Sequence, residues 1–146
     1  MDTRQTAEAF SAHRFTEVYD KLEDGVRWVV PGQAPIEGRA EVVAACESAA
    51  VEFGQLAGVE VLRFVSVADD RVAAVDATVQ YTSSDGSVSV VSSADIYEFD
   101  ADGGLTTITS YAVEVSDEKL DHRRPRTRQS EGSISSEPVT DAAEEG

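Results

Sequence analysis

Apolar residues recur at helical spacing in the first third of this chain and at every second position from Val59 onward. Asp2, with Gln5 three residues later, has the form of a capping box, and Ala7, Phe10 and His13 follow on one stripe, which predicts a first helix. A short second helix is expected over 15–22, burying Phe15, Val18, Tyr19 and Leu22 and ending at Asp24-Gly25, where glycine would supply a left-handed cap. The run 26–30 (VRWVV) reads as a strand stopped by Pro31-Gly32, and the stretch up to Gly38 reads as loop. Beyond it, Val42, Cys46, Ala49 and Phe53 share one stripe of a third helix over 39–53.

From Val59 the alternation predicts four strands, at 59–67, 72–82, 87–99 and 105–115. Asp69-Asp70, Asp85-Gly86 and the run Asp100 to Gly104 separate them as turns, so consecutive strands should pair antiparallel. Helices first and strands afterwards indicate an α+β layer fold, with three N-terminal helices packed on one face of a curved antiparallel sheet. The strand at 87–99 is long enough that it should bend or carry a bulge. Apolar content falls sharply near Ser116: from there on, Leu120, Ile134 and Val139 are the only large aliphatic residues and no aromatic occurs. That is too little apolar surface to offset the entropy of ordering, so the chain divides into a domain at 1–117 and a disordered charged tail at 118–146. The tail opens with the basic run His122, Arg123, Arg124, Arg126 and Arg128 and ends acidic.

Charge narrows the partners. Twenty-eight Asp and Glu against 12 Lys and Arg give a formal net charge of −16, which repels phosphate backbones and anionic lipid and argues against nucleic acid or membrane as a partner. No apolar run approaches the roughly 18 residues of a membrane span, and the first ten residues lack the layout of a signal peptide, so the expected location is the cytoplasm. The single cysteine, Cys46, lies on the buried stripe of the third helix and reads as a small apolar filler. No cluster of His, Cys and carboxylate has ligand spacing, no Gly-x-Ser-x-Gly elbow occurs, and Gly103-Gly104 closes a hairpin instead of cradling phosphate; no metal or cofactor is therefore expected.

Three stretches taken in series carry a family likeness: 26–32 (VRWVVPG) with 36–42 (IEGRAEV), 94–104 (ADIYEFDADGG), and 105–115 (LTTITSYAVEV). Together they resemble the SnoaL-like polyketide cyclase branch of the nuclear transport factor 2-like superfamily, to which ketosteroid isomerases also belong, over about 115 residues. The resemblance implies a cone-shaped half-barrel enclosing a pocket open at one end, often dimeric through the outer sheet face. It also implies an aspartate facing that pocket at Asp95. Strand alternation places Asp95 with Val91, Ser93, Tyr97 and Phe99, a face apolar enough to line a cavity. A carboxyl held there would be partly desolvated and able to donate to a carbonyl oxygen or exchange protons with a carbon acid. Alternatively, Asp95 caps a bulge or bonds a neighbouring hydroxyl such as Ser93 or Tyr111.

Where the isomerase branch keeps a general-base aspartate this chain has Val29 and Val30, and the helix-one tyrosine of that branch falls near Thr6, so isomerase activity of the ketosteroid type is not expected. An epoxide-hydrolase-like reaction would require Asp76, Arg63 and Asp95 to meet inside the cone, although Asp76 lies on the polar side of its strand. His13 could reach the pocket mouth as a proton shuttle or serve as an ordinary helix end. Trp28, Tyr97 and Tyr111 are the expected lining residues, because each couples an apolar body to a polar tip, with Tyr19 and Phe53 beside them. The functional expectation is acid/base chemistry on an apolar carbonyl compound through Asp95; the alternative is a non-catalytic ligand-binding module, and a homodimer through the outer sheet face is compatible with either.

Overall fold

A computed structural model describes residues 1–115; the tail at 118–146 lies outside the described residues. The chain runs α1 (Thr3–Ser11), β1 (Leu22–Val29), β2 (Ile36–Glu37), α2 (Arg39–Gly54), β3 (Gly58–Ala68), β4 (Val72–Thr82), β5 (Val88–Phe99) and β6 (Leu105–Glu114). The strands form one curved sheet in the order β2-β1-β6-β5-β4-β3. The hairpins β3-β4, β4-β5 and β5-β6 are antiparallel, as the turns predict, while β1 joins β6 in parallel. The sheet is thus mixed where a wholly antiparallel one was expected.

The capping box forms: the Gln5 amide donates to Asp2 Oδ1 at 2.8 Å and the Asp2 amide donates to Gln5 Oε1 at 2.9 Å. α1 lies across the concave face of β3–β5 and is tied to β3, with the Arg4 guanidinium donating to the Ser66 carbonyl at 2.9 Å and Ser66 Oγ donating to Glu8 Oε2 at 2.7 Å. α2 packs on β1 and β2 through Val42 and Cys46, both fully buried. Its first turn is fixed by Gly38, whose amide donates to the Val26 carbonyl at 2.8 Å at φ 92°, a left-handed angle suited to glycine.

The second helix does not form. Residues 15–17 and 19–21 are two separate 3-10 turns, so the described residues form two α-helices instead of three. Spacing such as Phe15 to Val18 serves a three-residue turn as well as a helix, and a segment this short cannot repay helix nucleation. Gly25 takes no left-handed cap; it lies inside β1, which begins at Leu22, four residues earlier than expected. The stretch read as loop contributes β2, pairing Ile36 with Trp28. The core is continuous across both layers: Phe10, Phe15, Val18, Val26, Val42, Tyr97, Leu105 and Ile108 are buried together.

Besides an irregularity where β1 meets β6, between Leu22 and Arg27, two register shifts decide which side chains face inward. One falls in β3 between Val61 and Arg63, and the other falls where β5 meets β6, between Glu98 and Phe99, with Leu105 opposite Phe99 and Thr107 opposite Glu98. Each inserts one unpaired residue, and a one-residue insertion moves everything beyond it to the other face. Among the described residues no helix is long and apolar enough to cross a membrane.

Candidate active site

Asp95 stands on the concave face of β5, opposite Val75 of β4 and Ser110 of β6. Three hydroxyls surround it. Ser11, the last residue of α1, donates to Asp95 Oδ2 at 2.8 Å and lies 2.6 Å from Tyr97 Oη. Ser110 and Tyr97 stand beside the carboxylate and favour its charged form, and Trp28 Nε1 donates to Ser110 Oγ at 3.0 Å. Since the one Ser11 hydrogen goes to the carboxylate, the Tyr97 hydroxyl is the donor toward Ser11, its hydrogen shared with Asp95.

Burial pushes the Asp95 carboxyl above its ordinary value, and the bonds from Ser110, Ser11 and Tyr97 pull it part of the way back. Burial dominates because the cage supplies neutral hydroxyls and no cation. Tyr97 is fully buried, and its phenol is pushed well above its usual value by burial first and by the Asp95 charge second. Phe10 holds the cage from the apolar side, packing edge-on against Trp28 at 5.1 Å and Tyr97 at 5.8 Å between ring centres.

Next to the cage, between the C-terminal end of α1 and the concave side of β3 and β4, lies a cavity of about 390 Å³. Val59, Val61, Phe64 and Val79 make its apolar wall, Ser11 and Tyr81 bring hydroxyls to it, and Glu8, His13 and Arg14 stand around it. Ser11 belongs both to this lining and to the Asp95 cage, whereas Asp95 lies behind it. Tyr81 lies within reach of the Asp95 charge, which adds to burial in raising its phenol. His13 has the left-handed φ of 63°, and its ring stacks on Phe53 at 3.8 Å. Loss of water around that ring lowers its pKa to about 4, so the imidazole is neutral at physiological pH.

The structure therefore gathers Asp95, Tyr97 and Trp28 into one network, and puts Phe53 beside the cavity, behind His13 and 5.7 Å from the Tyr81 ring. Tyr19 lies elsewhere, against α2, near Cys46 and Glu47. Tyr111 is on the outer face, opposite Ala94 and 52% exposed, so it does not line the cavity. Neither Ser93 nor Tyr111 is the hydroxyl that meets Asp95. Arg63 and Asp76 pair at 3.1 Å on that same outer face, with the sheet between them and Asp95, so the three-residue hydrolase arrangement is not assembled. Cys46 is fully buried, and its thiol is pushed up to about 12 by burial, as an inert filler requires. Sequence reasoning missed Ser11, Ser110 and Tyr81. Ser11 did leave a signal, falling four residues after Ala7 on the buried stripe of α1 as a small polar residue in an apolar row.

Two helices over a curved sheet, among the described residues, make an α+β fold of the nuclear transport factor 2-like kind. The SnoaL-like domain family matches residues 3–108, and the chain belongs to it. Among solved structures it is similar to a nuclear transport factor 2-like protein of unknown function from Cytophaga hutchinsonii, at 26% identity and TM-score 0.64, covering 75% of this chain and 94% of that one. It is also similar to an LEH-like epoxide hydrolase of M. tuberculosis, at 19% identity and TM-score 0.56, with coverage of 76% and 82%. A third likeness is to SalBIII, an epoxide hydrolase/cyclase-like enzyme in pyran ring formation of the polyether salinomycin, at 12% identity and TM-score 0.54, with coverage of 75% and 91%. The last two share the fold alone at these identities. No curated protein matches.

Proposed function

We propose that this protein binds an apolar carbonyl compound in the cavity beside Ser11 and exchanges a proton with it through Asp95, as a cofactor-independent enzyme of the cyclase or isomerase type. The observation that carries the reading is a single partly buried carboxyl held by three neutral hydroxyls at the edge of an apolar cavity. Such a carboxyl keeps its proton to higher pH than an exposed one, and the cost of desolvating its charge makes its ionised form a stronger base than an exposed carboxylate. The proposed folding unit is 1–117. A thermal-shift screen of the whole chain against apolar ketones and polycyclic carbonyl compounds, beside Asp95→Asn, tests it: a ligand of the native state raises the midpoint by mass action. Hits that weaken in Asp95→Asn and are converted only by the wild type support the reading, and hits indifferent to Asp95 refute it.

A non-catalytic binding module is the second reading, favoured by the position of Asp95 behind Ser11. In either case the outer face is the proposed homodimer surface. Val65, Val67, Tyr111 and Val113 lie on it, each exposed, around the Arg63–Asp76 pair.

A further inference from the structure

We propose that Ser11, and not Asp95 itself, is the group a ligand meets, and that the protonation state of Asp95 decides whether this hydroxyl offers the cavity a hydrogen-bond donor or an acceptor. The inference rests on the cavity being a small-molecule pocket. Its basis is that Ser11 alone belongs both to the cavity wall and to the direct hydrogen-bond partners of Asp95 among the described residues, at 2.8 Å from Oδ2 and 2.6 Å from Tyr97 Oη.

A serine hydroxyl has one hydrogen and two lone pairs. With Asp95 ionised, the hydrogen is committed to Oδ2 and one lone pair receives Tyr97, so the remaining lone pair can only accept. A ligand hydroxyl or enol satisfies it, and a carbonyl oxygen placed there meets another acceptor. With Asp95 protonated, the carboxyl donates to Ser11 Oγ, and the Ser11 hydrogen is released to a ligand carbonyl. One residue thus reports the charge of a buried acid to the cavity as a change of hydrogen-bond polarity. The ligand class that follows is a flat apolar molecule with one oxygen, bound as ketone by the protonated form and as hydroxyl or enol by the ionised form.

Other titratable groups face this network. Tyr97 on β5, Tyr81 on β4 and Cys46 on α2 are all raised, so they stay neutral below about pH 9. Around the cavity, His13 is neutral above about 4, Arg14 pairs with Glu17 at 3.2 Å, and Glu8 accepts from Ser66 at 2.7 Å.

The test uses two probes of matched shape, 2-acetylnaphthalene as acceptor and 2-naphthol as donor, titrated into the full chain at pH values on both sides of the Asp95 transition, which carboxyl carbon NMR follows, with Glu8→Gln as a control. The ratio of ketone to naphthol affinity should fall about tenfold as Asp95 ionises, the size of one hydrogen bond exchanged. Ser11→Ala should abolish that pH dependence while Asp95 still titrates, at higher pH because a bond to its charged form is gone, and Ser11→Thr should restore it. The same pH dependence in Ser11→Ala as in wild type overturns the inference and leaves Asp95 touching the ligand directly. A pH dependence that survives Asp95→Asn, or no binding of either probe, overturns the proposed function along with it.

Discussion

Tyr97→Phe isolates the cage from the rest of the core. The side chain is fully buried, so the substitution removes one oxygen without opening a new route for water and leaves the ring packed on Phe10 at 5.8 Å. Lost with the oxygen are the 2.6 Å contact to Ser11 and the share of that hydrogen given to Asp95. A neutral hydrogen bond contributes about 1 kcal/mol net and one to a charged group about 1.5–3 kcal/mol, so the loss should be about 1 kcal/mol when Asp95 is protonated and about 2–3 kcal/mol when it is ionised. The pH dependence has a definite sign. Tyr97 lowers the Asp95 pKa, so removing it raises the folded value further, and the variant loses most stability at pH above that value. Urea unfolding of wild type and variant at pH 4 and pH 8, extrapolated linearly, measures both numbers. At pH 8 the midpoint should fall by about 4–8 °C per kcal/mol in a parallel thermal melt. A loss below about 0.5 kcal/mol, equal at both pH values, would refute the cage, because a buried phenol bonded to a carboxylate cannot be removed so cheaply.

Stability should respond to His13 in the opposite sense from Asp95. The folded pKa of His13 is lowered to about 4 from 6.5, so the unfolded chain binds more protons between those values and stability rises with pH there; His13→Asn, tolerant of the left-handed φ, should flatten that slope in urea midpoints. Phe10→Leu should cost about 1–2 kcal/mol through its lost edge contacts and shift the emission of Trp28, the chain's single tryptophan, whereas an unmoved spectrum would detach Phe10 from the cage. Tyr111→Lys, at an exposed outer position, should convert a dimer to monomer in sedimentation without lowering monomer stability; a dimer that persists removes that face from the interface.

The hairpins were legible because their turn chemistry is explicit: Asp85-Gly86 takes the left-handed glycine at φ 89°, and the Asp100 carboxylate accepts the amides of Asp102 and Gly104. The face of Asp95 was legible for a similar reason. β4 and β5 pair without interruption from Val72–Glu98 to Thr82–Val88, so alternation counted along β5 holds. Tyr111 was expected in the lining for its polar tip alone, and a bulge in β6 sets its face: Leu105 and Ile108, both fully buried, are three apart, and simple alternation cannot put both inside. The bulge after Val61 does the same in β3, sending Arg63 outward while Phe64 and Ser66 turn in. Bulges leave no local mark in a strand of ordinary composition, whereas a turn does, and that difference sets what sequence alone could tell. Ser11 was hidden differently, since its role depends on an acid 84 residues away.

These two bulges also bear on chemistry. With Arg63 outside and paired to Asp76, the cage holds one carboxylate and no cation, surrounded by hydroxyls. Activation of water for attack on an epoxide asks for a base to take a proton from water and an acid to protonate the opening oxygen, two groups of opposite protonation state at the same moment. Asp95 by itself cannot hold both states. What Asp95 can do is pass one proton to and from the same ligand in sequence by way of Ser11, whose hydroxyl gives its hydrogen to the carboxylate as it takes one from the ligand and reverses the exchange to return it, which is the demand of an isomerisation or of an aldol-type ring closure. The apolar wall of Val59, Val61, Phe64 and Val79 suits such a ligand, because those side chains carry no proton of their own to exchange. On this argument the parity of a few residues in β3 and β6, and not the identity of Asp95 alone, directs the proposed reaction toward proton transfer and away from hydrolysis.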